Sequence, residues 1–255
     1  MKSSRLCLLP LIALFAAPAV ADEWGTIKGR FVLKGDLPAA VELKADKDVQ
    51  VCGKEKLLSE EVVFGADKGI RNVVVFVRDK GVKVNSEVAQ AARSQPAELD
   101  NKNCRFEPHV IFVQTGQELV LKNSDTVGHN SNVATIKNPQ SNTLIPAGGS
   151  SPVKFSTEES LPASVTCNIH PWMKAWVLVR GNPYAAVTKP DGSFEIKGVP
   201  VGDLELQLWH EKAGNLSEVA TAKGKADKKG RLAVKVEAAG TDLGDIPVDA
   251  AAFKK

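Results

Sequence analysis

Short apolar runs separated by turn residues recur along the whole chain. Five of these runs are rich in Val, Ile, Leu and aromatic residues, and they span 72–79, 109–116, 118–125, 175–181 and 204–211. Gly, Asp, Asn or Pro bounds each run, a combination that is typical of β-strands. The pattern predicts an all-β sandwich or barrel of antiparallel strands, because strands do not alternate with long helical segments.

The regions between these runs predict further elements. Residues 25–38 favour one or two strands with a turn at Gly35-Asp36, and residues 84–99, rich in Ala, Gln and Ser, favour a short helix or a loose insert. A late strand is expected over 232–236. Beyond it the pattern is weak, so we expect a C-terminal tail.

The pattern of apolar and turn residues changes after residue 181. In the stretch "KPDGSFEIKGVPVGD", Phe194 and Ile196 alternate on one face between turns at 190–192 and 200–203. This hairpin resembles the small carboxypeptidase-regulatory-like, or transthyretin-like, β module. The resemblance implies a scaffolding or adhesion element and no particular chemistry.

The first 21 residues are typical of a secretory signal peptide. Lys2 and Arg5 precede an apolar run over 6–17, and the small residues at 19–21 form a suitable cleavage site. We therefore expect cleavage after Ala21 and export to a bacterial periplasm or its equivalent. No later segment reaches about eighteen uncharged apolar residues, so we expect no membrane span.

The charge of the mature chain is nearly balanced. Removal of the predicted signal peptide leaves 31 basic and 30 acidic residues, and these are interspersed along the chain. A nucleic-acid partner would require a clustered basic face, so this class of partner is not expected.

Residues that carry metal and redox chemistry are scarce in the mature chain. It keeps one methionine, Met173, and three cysteines, Cys52, Cys104 and Cys167. An odd cysteine count in an oxidising compartment suggests one disulfide and one thiol kept for chemistry. We expect Cys52 to pair with Cys104 and Cys167 to stay free, and a disulfide that involves Cys167 is the alternative.

The stretch "VTCNIHPWMKAW" places three metal-binding residue types on one predicted loop between strands. Cys167, His170 and Met173 follow one another at intervals of three residues. A thiolate, two imidazoles and a weak thioether form the ligand set of a type 1 copper site, and His129 in the turn "NSDTVGHN" can supply the second imidazole. The residues therefore predict one copper ion.

Two motifs carry a resemblance to a known family. The stretch "FEPHVIFVQTGQELVLKNSDTVGHN" and the later "CNIHPWM" resemble the cupredoxins, or blue copper proteins, and within them the amicyanin-like and plastocyanin-like members. The resemblance covers residues 70–181. It implies a Greek-key β-sandwich in which His129, Cys167, His170 and Met173 are the ligands of copper.

The same resemblance assigns roles to residues beside the ligands. Asn130 would tie the two ligand loops together by side-chain hydrogen bonds. His170 would lie nearer the surface than His129. Pro171 and Trp172 would form an apolar patch around the edge of His170, where a redox partner protein would dock.

These assignments imply an exported electron carrier that moves one electron at a time and is not an enzyme. A periplasmic copper carrier, store or sensor without redox cycling is the alternative, and a structural module with incidental copper is a third reading. The amicyanin branch serves methylamine oxidation, but the loop resemblance does not extend to that partner.

Other chemistries explain the same residues less well. A Cys nucleophile with a His base normally draws its members from separate elements. Zinc accepts Cys and His but gains little from a thioether. For His109 and His210, a second metal site is the alternative to two ordinary, partly exposed histidines.

These observations predict an order of segments along the chain. A signal peptide over 1–21 and an N-terminal β segment over 22–69 precede a cupredoxin domain over 70–181. A carboxypeptidase-regulatory-like β module over 182–238 and a tail over 239–255 follow. The predicted fold class is all-β: a cupredoxin-like Greek-key sandwich with added N-terminal strands and a small C-terminal sandwich.

Overall fold

The computed structural model describes residues 23–36 and 39–254, and the predicted signal peptide with its cleavage site after Ala21 lies outside the described residues. The first strands in chain order are β1 (Trp24–Lys34), β2 (Glu42–Leu43), β3 (Leu57–Leu58), β4 (Val74–Val77), β5 (Ala97–Lys102), β6 (Arg105–Glu107), β7 (Val110–Gln114), β8 (Glu118–Asn123), β9 (His129–Ala134), β10 (Ser141–Ile145), β11 (Ser150–Lys154), β12 (Ala163–Thr166) and β13 (Lys174–Arg180). They continue with β14 (Ala185–Val187), β15 (Ser193–Pro200), β16 (Gly202–His210), β17 (Gly214–Asn215), β18 (Ala220–Thr221), β19 (Gly224–Lys225), β20 (Arg231–Val236) and β21 (Thr241–Asp249). The helices are α1 (Val49–Cys52) and α2 (Ser86–Arg93), with 3-10 turns at Ala66–Lys68 and Ala250–Phe253. The predicted all-β class is confirmed.

A first sandwich is built from the middle of the chain. One sheet has the order β10-β9-β12-β13-β7, and the other has the order β11-β8-β5-β6. Most neighbouring strands are antiparallel, but β13 runs parallel to β7 and β5 runs parallel to β8. Period-two alternation places Leu119 and Leu121 of β8 and Val165 of β12 in one core, where each is fully buried.

A second sandwich combines the two ends of the chain. Its sheets have the orders β15-β1-β21 and β14-β4-β16-β17, and β20 also pairs with β16. Phe31 of β1, Ile246 of β21 and Leu206 of β16 are fully buried in its core.

Strand β4 is buried on both faces because it lies where the two sandwiches meet. Val75 and Val77 belong to the core of the second sandwich, whereas Val74 and Phe76 cluster with Leu178 of β13 in the first. A strand covered on both sides reads as a continuous apolar run, as this one does.

The strand pairings differ from the segment boundaries expected from sequence in three places. Strand β1, from the expected N-terminal segment, pairs with β15 and β21 of the second sandwich. Strand β4, expected in the 70–181 domain, pairs with β14 and β16. The expected tail over 239–255 contains β21, whose Leu243 is fully buried. The physical reason is that a local pattern identifies a strand but not its partner.

Helix α2 forms within the region 84–99 that predicts a helix or an insert. Asn85 caps it, because its side-chain oxygen accepts hydrogen bonds from the backbone N–H groups of Glu87 and Val88. Among the described residues, no helix is both long and apolar enough to cross a membrane.

Residues 41–61, here called the cap segment, lie against the end of the first sandwich that carries the Cys167 loop. The segment contains the paired strands β2 and β3 and the short helix α1. A disulfide joins Cys52, at the end of α1, to Cys104, in the turn between β5 and β6. The pair expected from the odd cysteine count is therefore present, and Cys167 is a free, buried thiol.

Candidate metal centre

The hairpin loop between β12 and β13 holds three of the predicted ligands. Thr166 and Lys174 are the last paired residues of the hairpin, so the loop begins at Cys167 and ends at Met173. The Cys167 N–H donates to the Met173 carbonyl at 3.3 Å, and the Met173 N–H donates to the His170 carbonyl at 2.9 Å. These bonds fold the loop on itself, and all three ligand side chains are buried.

Strand β9 supplies His129 at its first residue. Before it, the Asn123 side chain donates hydrogen bonds of 2.8 and 2.9 Å to two backbone carbonyls and thereby orders the turn. Strand β9 pairs with β12 so that Asn132 lies beside Thr166. This pairing brings His129 to the same end of the sheet as Cys167.

The donor atoms of His129, Cys167 and His170 form a compact triangle. The two histidine Nδ1 atoms are 2.9 Å apart, and the cysteine Sγ is 4.0 Å from the His129 Nδ1 and 3.7 Å from the His170 Nδ1. A first-row metal ion held at about 2.0 Å from each nitrogen and about 2.3 Å from the sulfur requires donor separations of this size. The separations of the three donor atoms therefore fit the coordination of a single ion.

Each histidine is oriented by a carboxylate on the far side of its ring. The His129 Nε2 lies 2.9 Å from the Asp125 Oδ2, and the His170 Nε2 lies 2.8 Å from the Asp48 Oδ2. When each Nε2–H donates to its carboxylate, both Nδ1 lone pairs face the centre of the triangle. Two facing lone pairs at 2.9 Å repel each other, and a shared cation removes that repulsion. The donor set, one thiolate with two imidazoles, fits copper.

Asn130 connects the two ligand loops, the position that the resemblance implies for it. Its Oδ1 accepts from the backbone N–H groups of Asn168 and Ile169 at 2.8 and 3.2 Å, and it lies 3.4 Å from the Cys167 Sγ. Its Nδ2 donates to the Asn142 side chain at 2.7 Å. The ligand loop is thereby held against β9.

The position of His170 differs from the one that the resemblance implies. Its side chain is 0 % exposed, although the neighbouring Ile169 and Pro171 lie at the surface. Asp48 of the cap segment covers its Nε2, the edge at which a partner protein was expected to dock. Asp48 has φ 46° and ψ 41°, in the left-handed region that aspartate adopts more readily than most residues.

The electrostatics of the site favour neutral imidazole at His129. Burial lowers the pKa of His129 from its ordinary value, the neighbouring His170 lowers it further, and Asp125 and Asp48 partly offset both effects. A lowered pKa leaves the Nδ1 lone pair free at neutral pH, as a metal ligand requires.

Met173 and Trp172 complete the surroundings of the triangle. Met173 is 1 % exposed and belongs to the same hydrophobic core as Cys167, and its axial role stays a prediction. The Trp172 ring lies with its centroid 5.1 Å from that of His170, and its Nε1 donates to the Cys104 carbonyl at 3.1 Å. Trp172 is half-buried, as expected for a residue on the rim of the site.

The disulfide is linked to both histidine–carboxylate pairs. The Cys104 N–H donates to the Asp125 Oδ2 at 2.8 Å, and the Cys52 N–H donates to the Asp48 carbonyl at 2.8 Å. Cys104 also lies close enough to Asp125 and His129 to resemble a metal site, but its sulfur is held in the disulfide.

The two remaining histidines are not partly exposed, contrary to expectation. His109 is 5 % and His210 is 1 % exposed. Neither belongs to a cluster of three potential metal-binding residues in the described part of the chain. Burial would lower the pKa of His109, but the carboxylates of Glu211 and Glu60 outweigh it and raise the pKa to about 9. Burial lowers the pKa of His210 to about 4.

Sequence reasoning missed the two carboxylates that orient the ligands. Asp125 has a local signal, because it stands four residues before His129 in the same turn. Asp48 has none, since it lies 122 positions from His170 along the chain.

No protein-family model matches the chain, and no curated protein matches it. Among solved structures, the chain is similar to an amicyanin variant in its Cu(I) form, with 16% identity and a TM-score of 0.30 over 41% of this chain and 97% of amicyanin. It is also similar to a purple cupredoxin from Nitrosopumilus maritimus, with 20% identity and a TM-score of 0.28 over 32% of this chain and 98% of the cupredoxin.

A third similar structure is a copper-containing nitrite reductase from Thermus scotoductus SA-01, with 21% identity and a TM-score of 0.31. That match covers 33% of this chain and only 22% of the reductase. At such TM-scores the likeness carries no functional argument. The assignment of the site depends on the donor atoms of this chain.

Proposed function

We propose that this protein binds one copper ion at a type 1 site and carries single electrons in the periplasm. The observation that supports the proposal most directly is the buried triangle of His129 Nδ1, Cys167 Sγ and His170 Nδ1, with all three atoms within 4.8 Å of one another. Cysteine thiolate with two imidazoles is the equatorial donor set of blue copper sites.

Copper would supply the one-electron chemistry, cycling between Cu(I) and Cu(II). The protein's own residues would fix the ligands in one arrangement that suits both oxidation states. Asn130 holds the Cys167 loop against β9, while Asp125 and Asp48 hold the two imidazole rings. Fixed ligands favour fast electron transfer, because little has to move when the charge of the metal changes.

The predicted signal peptide supports the periplasmic location, and the Cys52–Cys104 disulfide is consistent with an oxidising compartment. We propose a carrier without a reaction of its own.

A copper carrier or store without redox cycling is the second candidate, and the burial of His170 favours it. A site whose ligand edge is covered by Asp48 exchanges electrons with a docked protein less readily than one with an exposed imidazole.

The absorption and EPR spectra of the mature protein loaded with Cu(II) separate these functions. An electron carrier should be intensely blue through thiolate-to-copper charge transfer, with a narrow copper hyperfine splitting, and Cys167→Ser should abolish the colour. Cys167→Ser protein that stays blue would disprove the ligand assignment. A colourless protein that takes up only Cu(I) would instead identify the carrier or store.

A further inference from the structure

A cavity of about 290 Å³ lies beside the candidate metal centre, between the cap segment and the ligand loop. Leu43 and Leu57 of the cap segment form one apolar wall. Trp172, which packs beside His170, and Met173, the predicted axial ligand, also line the cavity. The cavity therefore lies next to the candidate metal centre, and Asp48 is not part of its lining.

Two buried polar side chains line the same cavity, and each has one polar atom without a hydrogen-bond partner among the described residues. The side chains of His109 and Glu211 are each only 4 % exposed and are bonded to each other through the His109 Nε2 and the Glu211 Oε2. The His109 Nδ1 and the Glu211 Oε1 have no hydrogen-bond partner among the described residues. The Glu60 Oε2 lies 3.7 Å from the His109 Nδ1, and the Lys174 Nζ lies 3.7 Å from the Glu211 Oε1. Both distances are longer than a hydrogen bond. An unpaired buried donor and acceptor cost free energy until a ligand satisfies them.

The charges around the cavity are balanced. With the pKa of His109 raised to about 9, this imidazole is protonated at neutral pH. The lining then carries three cations and three anions, which are Arg105, His109, Lys174, Glu60, Glu61 and Glu211. A balanced lining favours a neutral ligand over a cation or an anion.

We propose that this cavity binds a small neutral phenol of the hydroquinone class and that this molecule is an electron donor to the metal centre. A hydroxyl group both donates and accepts, so its chemistry matches that of an unpaired Nδ1–H donor and an unpaired Oε1 acceptor. The leucines and Trp172 offer apolar contact to a flat ring, and the volume of about 290 Å³ lies just below the usual range for small-molecule sites, which suits a small ligand.

The electron-donor role rests on the proposed copper function. Trp172 contacts both the cavity and the ring of His170, at a centroid distance of 5.1 Å, so a bound ring is close to the ligands. Oxidation of one hydroquinone to quinone transfers one electron to each of two protein molecules and releases two protons to solvent.

Binding is tested first on the metal-free mature protein, by calorimetric titration with hydroquinone in the absence of oxygen. We expect saturable binding of one molecule per chain. Leu58 lines the cavity and is partly exposed. Leu58→Trp should fill part of the cavity and weaken this binding at least tenfold. The matched control is Leu144→Trp, at an exposed leucine that does not line the cavity, and it should bind as the unmodified protein does.

The proposal would be overturned by the absence of saturable binding or by equal binding to both tryptophan variants. It would also be overturned if the cation of benzylamine or the anion benzoate bound more tightly than neutral hydroquinone. With copper loaded, the rate of bleaching by hydroquinone should saturate with concentration in the unmodified protein and rise linearly in Leu58→Trp. A protein that never turns blue but binds hydroquinone refutes the electron-carrier function and the donor role that rests on it, and supports the binding site. A blue protein that does not bind hydroquinone refutes the cavity proposal alone.

Discussion

At the scale of single residues, the carboxylates behind the histidines decide which nitrogen faces the metal. A ligand histidine whose far nitrogen donates to a carboxylate has its tautomer and its ring orientation fixed. Asp125 and Asp48 do this for His129 and His170 in the same way, although they come from a turn and from the cap segment. The proposed set of four ligands is thus accompanied by two further residues that hold its histidines.

Asp125→Asn should weaken copper binding by about 10–100-fold, the usual effect of losing such a partner. The amide replaces an acceptor oxygen by a donor group, so His129 is no longer held in the tautomer that presents Nδ1. Competition with a Cu(I) chelator measures the affinity. Asp245→Asn, at an exposed ion pair with Arg30, is the control and should leave the affinity unchanged. Equal affinities for all three proteins would show that Asp125 does not orient the ligand.

Met173→Gln should keep copper but lower the reduction potential. The amide oxygen of glutamine is a harder donor than a thioether, so it favours Cu(II) over Cu(I). Spectroscopic redox titration against a mediator of known potential checks this expectation. A potential that does not fall would place Met173 outside the coordination sphere.

At the scale of elements, the cap segment covers the His170 edge of the candidate site with Asp48. It is attached to the first sandwich through the Cys52–Cys104 bond, the Asp48 carboxylate on His170 and the ion pair of Glu60 with Arg105. A short helix and two two-residue strands have little core of their own. The disulfide therefore has a large share in keeping the segment in place.

Replacing both Cys52 and Cys104 by alanine should loosen the cap segment and expose His170. The bond closes a loop of 52 residues, and its loss should lower the free energy of unfolding of the metal-free protein by about 2–4 kcal/mol. Removal of copper by an excess of chelator should become faster, since Asp48 no longer covers the ligand. Urea denaturation and stopped-flow absorption measure the two effects. An unchanged rate of copper removal in the folded variant would show that the cap does not control access.

At the scale of the whole molecule, the two sandwiches behave as one packed body because their facing sheets share a third apolar cluster. Trp176 of the first sandwich and Trp209 of the second meet edge to face at 4.9 Å between ring centroids. Beside them, His109 of the first sandwich is paired with Glu211 of the second, and the Trp176 Nε1 donates to the same carboxylate at 2.7 Å. An ion pair in this position makes the junction sensitive to pH.

Raising the pH should weaken the junction through His109. Its folded pKa, about 9, lies above the ordinary value of 6.5, so the stabilisation is complete below about pH 6.5 and is lost as the pH rises through 9. The shift corresponds to at most about 3 kcal/mol. Urea denaturation at about pH 6 and about pH 10 measures the free energy of unfolding of the metal-free protein. Between these two pH values, this free energy should fall more in the unmodified protein than in His109→Gln. Equal falls in the two proteins would contradict the prediction.

Much of the site could be predicted from sequence because its chemistry is local. Cys167, His170 and Met173 share one short loop, and His129 follows a recognisable turn, so residue types and spacing were sufficient to predict four ligands, three of which the structure brings together. Period-two apolar runs likewise identified most of the longer strands, since burial on a sheet imposes that period.

The remainder depends on contacts between distant parts of the chain. No local sequence signal predicts the parallel pairing of β1 with β21 or the place of β4 between two sandwiches. The same is true of the ion pair between His109 and Glu211. The burial of His170 is of the same kind, because Asp48 reaches it only after the cap segment folds back. The sequence by itself determined which atoms could bind a metal. The tertiary structure decided from which side the metal can be reached, because access depends on what packs against a ligand and not on the ligand itself.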